Sequence, residues 1–280
     1  MITALDHVVL LCRDLAVATE SCARLFGRQP HTVSEDADTG LASAFFATRN
    51  AGLELVAPAG EGPGAARVRE LLADGRRLTS LALRSDDIAA DRRSCARRGL
   101  SPGEITETRI VDRASKAATD WRRFRLDDAA LHGVKGFVID APARTTAPAG
   151  AGDVARLDHV VVDTPDPTRA AATYGARLGL RLALERHAPQ WNVHFLFFRV
   201  GGVTLEVIRR LDADPPAAGE DRLWGLTWAV DDIHAAHRRL AAAGLNLSEV
   251  RTGRKPGTEV FTVRDGTLGV PTLFIGEAAR

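Results

Sequence analysis

The chain has 280 residues, 45% of them hydrophobic and 26% charged, with a formal net charge of +1. That length predicts about two domains, and the apolar content predicts packed cores rather than disorder. The near-neutral balance argues against a nucleic-acid or membrane-surface partner. No basic region followed by a long apolar run opens the chain, and no apolar stretch reaches membrane-spanning length, so a cytoplasmic protein is expected. Leu5–Leu11 is apolar and β-branched and reads as a strand. Asp14 then caps a helix to about Phe26, with Gly27 as its stop. Two short strands joined by a tight turn follow, the second around Leu53–Val56. A similar unit runs from a strand at Leu78–Leu83 through a helix at Asp87–Arg98, stopped by Gly99, to a strand at Gly136–Ile139. Ala141–Asp153 is rich in Pro, Gly and Ala without apolar periodicity and reads as a linker. It separates an N-terminal domain, 1–140, from a C-terminal domain, 154–280.

Beyond the linker the pattern returns. Asp166 is a cap, Pro167 the first helical position and Gly179 the stop. His194–Val200 and Val203–Ile208 flank Gly201 and Gly202, a strong hairpin signal. Leu226–Val230, Asp232–Ala243, Gly244 and Thr272–Ile275 repeat the strand, helix, stop and final strand. The repeat is also literal. Leu5-Asp6-His7-Val8-Val9 returns as Leu157-Asp158-His159-Val160-Val161, and Leu53-Glu54-Leu55-Val56 as Leu205-Glu206-Val207-Ile208. His7 and His159, Glu54 and Glu206, and Phe45 and Phe197 are all 152 positions apart. A repeat of this length without net gap is a duplicated structural unit.

Four strand-helix-strand-strand-strand units, each opening with a strand like Leu-Asp-His-Val-Val and continuing with an Asp-capped helix, resemble the vicinal oxygen chelate superfamily. That family holds glyoxalases, methylmalonyl-CoA epimerase, extradiol dioxygenases and bleomycin-binding proteins. The resemblance covers almost the whole chain and implies an α+β fold of four βαβββ modules forming two half-barrel domains. It further implies a divalent metal (Fe, Mn, Ni, Co or Zn) on a concave face, with ligands from the first and last strands of each module. Carried onto this sequence, those positions are His7 and Glu54 in the first half and His159 and Glu206 in the second. The matching first-strand positions of modules two and four fall near Ser80 and Gly225, neither a good ligand, and the last strands offer Asp140 and Glu277. Each half is thus one short of the three protein ligands a catalytic metal usually has. A site joining His7, Glu54, His159 and Glu206 would need modules one and three to face each other.

With Gly201-Gly202 as a two-residue turn, Phe197 pairs with Glu206. Phe195, Phe197, Arg199, Thr204 and Glu206 then share one face. Aromatics, one Arg and one carboxylate suit an organic substrate with a polar or anionic end. Phe45 matches Phe197, but Ala47 stands where Arg199 does, and Trp191, Trp224 and Trp228 add aromatic surface to the second half. The second half is therefore favoured as the working site, with Phe45 and Ser80 as substrate contacts in the first. His234 and His237 read as helix-surface residues, His31 and His187 as rim residues, His194 as a packing residue and His132 as a turn residue. Cys12, Cys22 and Cys95 form no C-x-x-C pair and read as small buried hydrophobes.

The leading expectation is a metal-dependent isomerase or lyase in which Glu206 or Glu54 moves a proton and an enediolate-like species is stabilised. The alternatives are a metal-free protein that sequesters a small molecule and an iron-dependent dioxygenase. The partner is a small-molecule substrate or ligand, with a monomer or homodimer as the assembly.

Overall fold

The computed structural model describes residues 1–142, 150, 152–212 and 219–278. Residues 143–149 and 151, most of the expected linker, lie outside that set. The first module is β1 (Ile2–Leu11), α1 (Leu15–Phe26), β2 (Thr32–Asp36), β3 (Leu41–Ala47) and β4 (Gly52–Pro58). Helix α2 (Pro63–Ala73) leads to the second module, β5 (Leu78–Ser85), α3 (Ile88–Arg97), β6 (Thr106–Val111), β7 (Ala118–Leu126) and β8 (Lys135–Ile139). The third is β9 (Val154–Asp163), α4 (Pro167–Ala170) widening into a further helical turn over Ala171–Arg177, β10 (Arg181–Ala188), β11 (Val193–Val200) and β12 (Val203–Arg210). The fourth is β13 (Arg222–Val230), α5 (Ile233–Ala242), β14 (Arg251–Thr252), β15 (Thr258–Val263) and β16 (Thr272–Glu277).

The expected α+β architecture is present as two eight-stranded sheets, one from each pair of modules. Their orders are β2-β3-β4-β1-β5-β8-β7-β6 and β10-β11-β12-β9-β13-β16-β15-β14. The local chemistry read from sequence explains the elements. Asp14, Asp87, Asp166 and Asp232 each accept a hydrogen bond from a backbone N–H three residues on, and so satisfy a donor the first helical turn leaves free. Gly27 closes α1 at φ 76°, where a side chain would be strained. The hairpin turn at Gly201-Gly202 sets Val200 against Val203 and Phe197 against Glu206, as the register argument requires.

One face of each sheet, with its helices, joins a single core that runs through both halves. Leu5, Val8 and Leu10 of β1, Leu157, Val160 and Val162 of β9, and Phe26 and Trp228 belong to it. Trp228 is therefore core, not cavity: its ring meets Phe26 from the other half at 4.8 Å. Cross-half hydrogen bonds reinforce the junction. Asn50 donates from Nδ2 to the Leu157 carbonyl at 2.8 Å and accepts from the Leu157 N–H at 3.0 Å. Strand alternation sends His7, Val9 and Leu11, and likewise His159 and Val161, to the opposite faces, away from this core. The two His-Glu pairs therefore lie on separate outer faces, and the combined four-residue site does not form.

Candidate functional site

A β-bulge shapes each pair. On β1 the register shifts between Leu5 and His7, and on β13–β9 it shifts between Leu157 and His159, so Asp6 and Asp158 are the extra residues. Each bulge Asp turns back onto its neighbour: Asp6 Oδ1 lies 2.8 Å from His7 Nδ1, and Asp158 Oδ2 lies 3.1 Å from His159 Nδ1. Arg84 holds Asp6, and Arg156 holds Asp158 at 2.7 Å. Such a carboxylate fixes the imidazole's tautomer and turns Nε2 toward the facing glutamate. There Nε2 of His7 lies 3.3 Å from Glu54, and Nε2 of His159 lies 3.4 Å from Glu206. The sequence repeat is thus also a geometric one.

The two sites differ in what surrounds the pair. His7 stands opposite Ala82 and beside Gly52, while His159 stands opposite Thr227 and beside Thr204. In the first half Phe45 leans over Gly52, so closely that a Cβ there would sit 2.2 Å from its ring, and it meets His7 edge-on at 5.5 Å. Helix α2 then packs Val68, Leu71 and Leu72 against Val9, Leu11 and Val56, covering one end of the same face. The helix was legible in Gly62-Pro63 followed by apolar positions 65, 68, 71 and 72, a helical spacing that the module pattern masked. The His7 side chain keeps 9% exposure against 18% for His159, while Glu54 keeps 20% against 17% for Glu206. Burial works against a charged His7, yet hydrogen bonds to Asp6 and then Glu54 outweigh it and raise the imidazole above its usual range. In the first site the His7 imidazole is thus held between Asp6 and Glu54.

In the second half the Thr227 hydroxyl lies 2.7 Å from His159 Nε2, so three polar groups, His159, Glu206 and Thr227, converge. Burial pushes the Glu206 carboxyl up, against the pull of His159 and Arg254. Phe197 pairs with Glu206 and stacks on Phe195 at 5.5 Å, and Trp191 meets Phe195 edge-on at 6.3 Å, a continuous aromatic wall. Arg199 is exposed at the rim and bonds Thr204. Trp224 falls in another bulge, between Leu223 and Gly225. It is exposed and stacks under Arg210 at 5.3 Å, at the sheet's end rather than in the wall.

The remaining expected ligands move out of the site. Val9 pairs with Ser80 and Val161 with Gly225. Ser80 is buried and bonded to the Thr79 hydroxyl at 3.1 Å. By the same register the counterparts of Glu54 and Glu206 are Phe137 and Leu273, because Ala82 pairs with Phe137 and Thr227 with Leu273. Asp140 lies past the strand's end and binds Arg122, and Glu277 is exposed. Among the described residues no group of three or more His, Cys, Asp or Glu is placed to hold a metal ion.

A divalent ion fits the second site in part. Two donors each about 2.1 Å from a tetrahedral ion lie about 3.4 Å apart, the separation seen between His159 Nε2 and Glu206. Thr227, on module four's first strand, adds a neutral oxygen, while Gly225 and Leu273 of the same module add none. The other histidines take no part. His194 binds Glu185 at 2.9 Å and His234 pairs with Glu259 on the helix side. His237 is not a free surface residue: it bonds the Ser248 carbonyl and meets Phe261 edge-on. All three cysteines are buried, and burial pushes the thiols of Cys12 and Cys22 up to about 12 and that of Cys95 to about 11, which removes them as nucleophiles.

Comparison with known proteins gives matches over both halves. A sequence profile described as Glyoxalase-like domain matches residues 5–155, and one described as Glyoxalase/Bleomycin resistance protein/Dioxygenase superfamily matches residues 158–262. The chain is 30% identical over 128 residues to an ethylmalonyl-CoA/methylmalonyl-CoA epimerase of Cereibacter sphaeroides, covering 44% of this chain and 88% of the epimerase. It is 33% identical over 130 residues to the mitochondrial methylmalonyl-CoA epimerase of Homo sapiens, covering 44% and 67%. A variant of 4-hydroxymandelate synthase from Streptomyces coelicolor superposes with a TM-score of 0.73 at 17% identity, over 100% of this chain and 94% of the other. A Mn(II)-bound glyoxalase from Novosphingobium aromaticivorans does so at 0.67 and 17%, over 99% and 83%. At these identities the structural likenesses speak for the fold.

Proposed function

The chain belongs to the glyoxalase/bleomycin resistance protein/dioxygenase superfamily, the vicinal oxygen chelate proteins, and we propose that its second half turns over a small organic substrate while its first half serves as scaffold. At the coarse level the relatives support an enzyme of the metal-dependent kind that acts on small molecules. No helix among the described residues is long and apolar enough to cross a membrane. The domains proposed are 1–140 and 154–280.

One observation carries the reading. His159, Glu206 and Thr227 converge beside an aromatic wall, whereas in the first half Ala82 stands where Thr227 does, Phe45 packs on His7 and α2 covers one end of the face. His159 and Glu206 would hold a divalent ion. Bound there, the ion supplies Lewis-acid polarisation of a substrate's vicinal oxygens. The chain's own groups do the rest. Asp158 holds the His159 ring in place through Nδ1. The Glu206 carboxylate, beside His159 and Phe197, is placed to take a proton from a carbon next to a carbonyl and return it. Phe195 and Phe197 exclude water from the face where that proton moves. This is isomerase or lyase chemistry, with Glu206 as the proton carrier. A second reading, metal-free sequestration of a small molecule, is favoured by the apolar Phe137 and Leu273 and by Gly225 at the remaining ligand positions.

Calorimetric titration of tag-free protein with Mn(II), Co(II), Ni(II) and Zn(II) decides between them. The enzyme reading expects about one equivalent per chain, lost in Glu206→Gln and His159→Ala and kept in Glu54→Gln. Less than about a tenth of an equivalent after reconstitution would establish the sequestration reading instead.

A further inference from the structure

The two sheets close differently at their edges. In the first half the outer strands β2 and β6 meet. Val33 N–H donates to Asp112 at 3.0 Å, Arg113 N–H donates to the Val33 carbonyl at 2.7 Å, and Arg113 pairs with Glu35 at 3.0 Å. In the second half the outer strands are β10 and β14, and among the described residues no hydrogen bond joins them. β10 is exposed along Arg181–His187, and β14 is two residues long.

What spans this seam is one indole carrying two guanidiniums. Arg186 of β10 stacks on Trp191 at 4.5 Å, and Arg254, just past β14, stacks on it at 4.6 Å. Among the described residues neither guanidinium has a hydrogen bond or a carboxylate partner. Two cations within 4.5 and 4.6 Å of one ring centroid are no more than about 9 Å apart. Stacking uses the flat faces of these groups and leaves the N–H fork at their edges free for an anion. Both supports are stiff. Trp191 sits in a short 3-10 turn stopped by Asn192, whose N–H returns to Pro189 at 2.9 Å. Arg254 rides a tight turn in which Gly253 N–H binds the Thr258 carbonyl at 2.8 Å, and a Cβ on Gly253 would meet the Thr258 hydroxyl at 2.3 Å. From Trp191 the aromatic wall runs inward through Phe195 and Phe197 to Glu206, and Arg254's charge acts on that carboxylate.

We propose that the seam between β10 and β14 admits a carboxylate with a flat apolar body, whose charge is received by Arg186 and Arg254 at Trp191 and whose body lies along Phe195 and Phe197 toward His159 and Glu206. The proposal rests on the reading of the second half as the working site. It places the carboxylate at the end remote from the reacting carbon, two ring-to-ring steps of 6.3 and 5.5 Å away. The first half has no such entrance, since its edges are stitched.

Calorimetry in EDTA with 1-naphthylacetate and its neutral amide, 1-naphthylacetamide, tests it. The wild type is expected to bind the acid at least tenfold more tightly than the amide. The doubly substituted Arg186→Gln, Arg254→Gln protein loses that preference while keeping the wild-type melting temperature, since both side chains are exposed. Glu206→Gln, which removes a competing negative charge, keeps the preference and strengthens acid binding a few fold. Equal binding of acid and amide by the wild type, binding of neither, or an undiminished preference in the double variant would overturn the proposal. Because no metal is present in this assay, an acid preference alongside failed metal binding sinks the enzymatic reading alone, and the converse sinks this one alone.

Discussion

Glu206→Gln should make the metal-free protein more stable while removing its response to metal. The side chain keeps 17% exposure, and the His159 Nε2 atom is 3.4 Å away, beyond a good hydrogen bond. Asp158 adds a second negative charge to the same cluster. A buried carboxylate held this loosely is a cost to the fold, and a neutral amide of the same shape avoids it. Relief of about 1–2 kcal/mol is expected at pH 8, which for a chain of this size is a rise of roughly 2–4 °C in melting temperature. Metal acts in the opposite sense. A ligand at about a hundred times its dissociation constant stabilises by about 2.7 kcal/mol, so the wild type should gain roughly 5 °C on adding Mn(II) or Zn(II). The variant should gain almost nothing. Thermal melts in EDTA and in excess metal, on the wild type and the variant side by side, read both effects. A variant less stable than wild type in EDTA, or one with an undiminished metal response, would refute the view of Glu206 as a strained, metal-directed carboxylate.

His7 provides a pH test in the other half. Its imidazole is raised above 6.5 in the fold, so the stability it confers is complete below about 6.5 and declines as pH rises through the folded value. Urea midpoints of the wild type should fall across that range and those of His7→Gln should not; parallel curves would exclude a charged His7 between Asp6 and Glu54. Asn50→Ala removes both hydrogen bonds to Leu157 and should cost about 2–3 kcal/mol by urea denaturation, and a loss under about 0.5 kcal/mol would show that this bridge does not hold the halves. All three thiols should resist a disulfide reagent in the native state and react fully in denaturant. Fast native labelling of even one would contradict their burial.

Much of this molecule was legible in the chain. The caps at Asp14, Asp87, Asp166 and Asp232, the stops at Gly27 and Gly99, and the Gly201-Gly202 turn act through neighbouring backbone groups, so local sequence sets them. The duplication fixed which strands carry His7, Glu54, His159 and Glu206, and the period of two along a strand fixed their face. Partner identity across sheets was not legible, because it depends on register between segments far apart in sequence. That register sets Phe137 and Leu273, rather than Asp140 or Glu277, where further carboxylate ligands were expected. It also sets Thr227 against His159 and Ala82 against His7. Whether a face stays open is likewise a tertiary matter. Val68, Leu71 and Leu72 of α2 have the spacing of any amphipathic helix, and only packing puts them over Val9 and Val56. In the same way Arg186, Trp191 and Arg254 are unremarkable apart until the curvature of the second sheet brings its two edges together. Sequence determines the elements and their faces through short-range hydrogen bonding and periodicity; the halves differ in use because closure, burial and cross-strand partners are set only when distant strands pair.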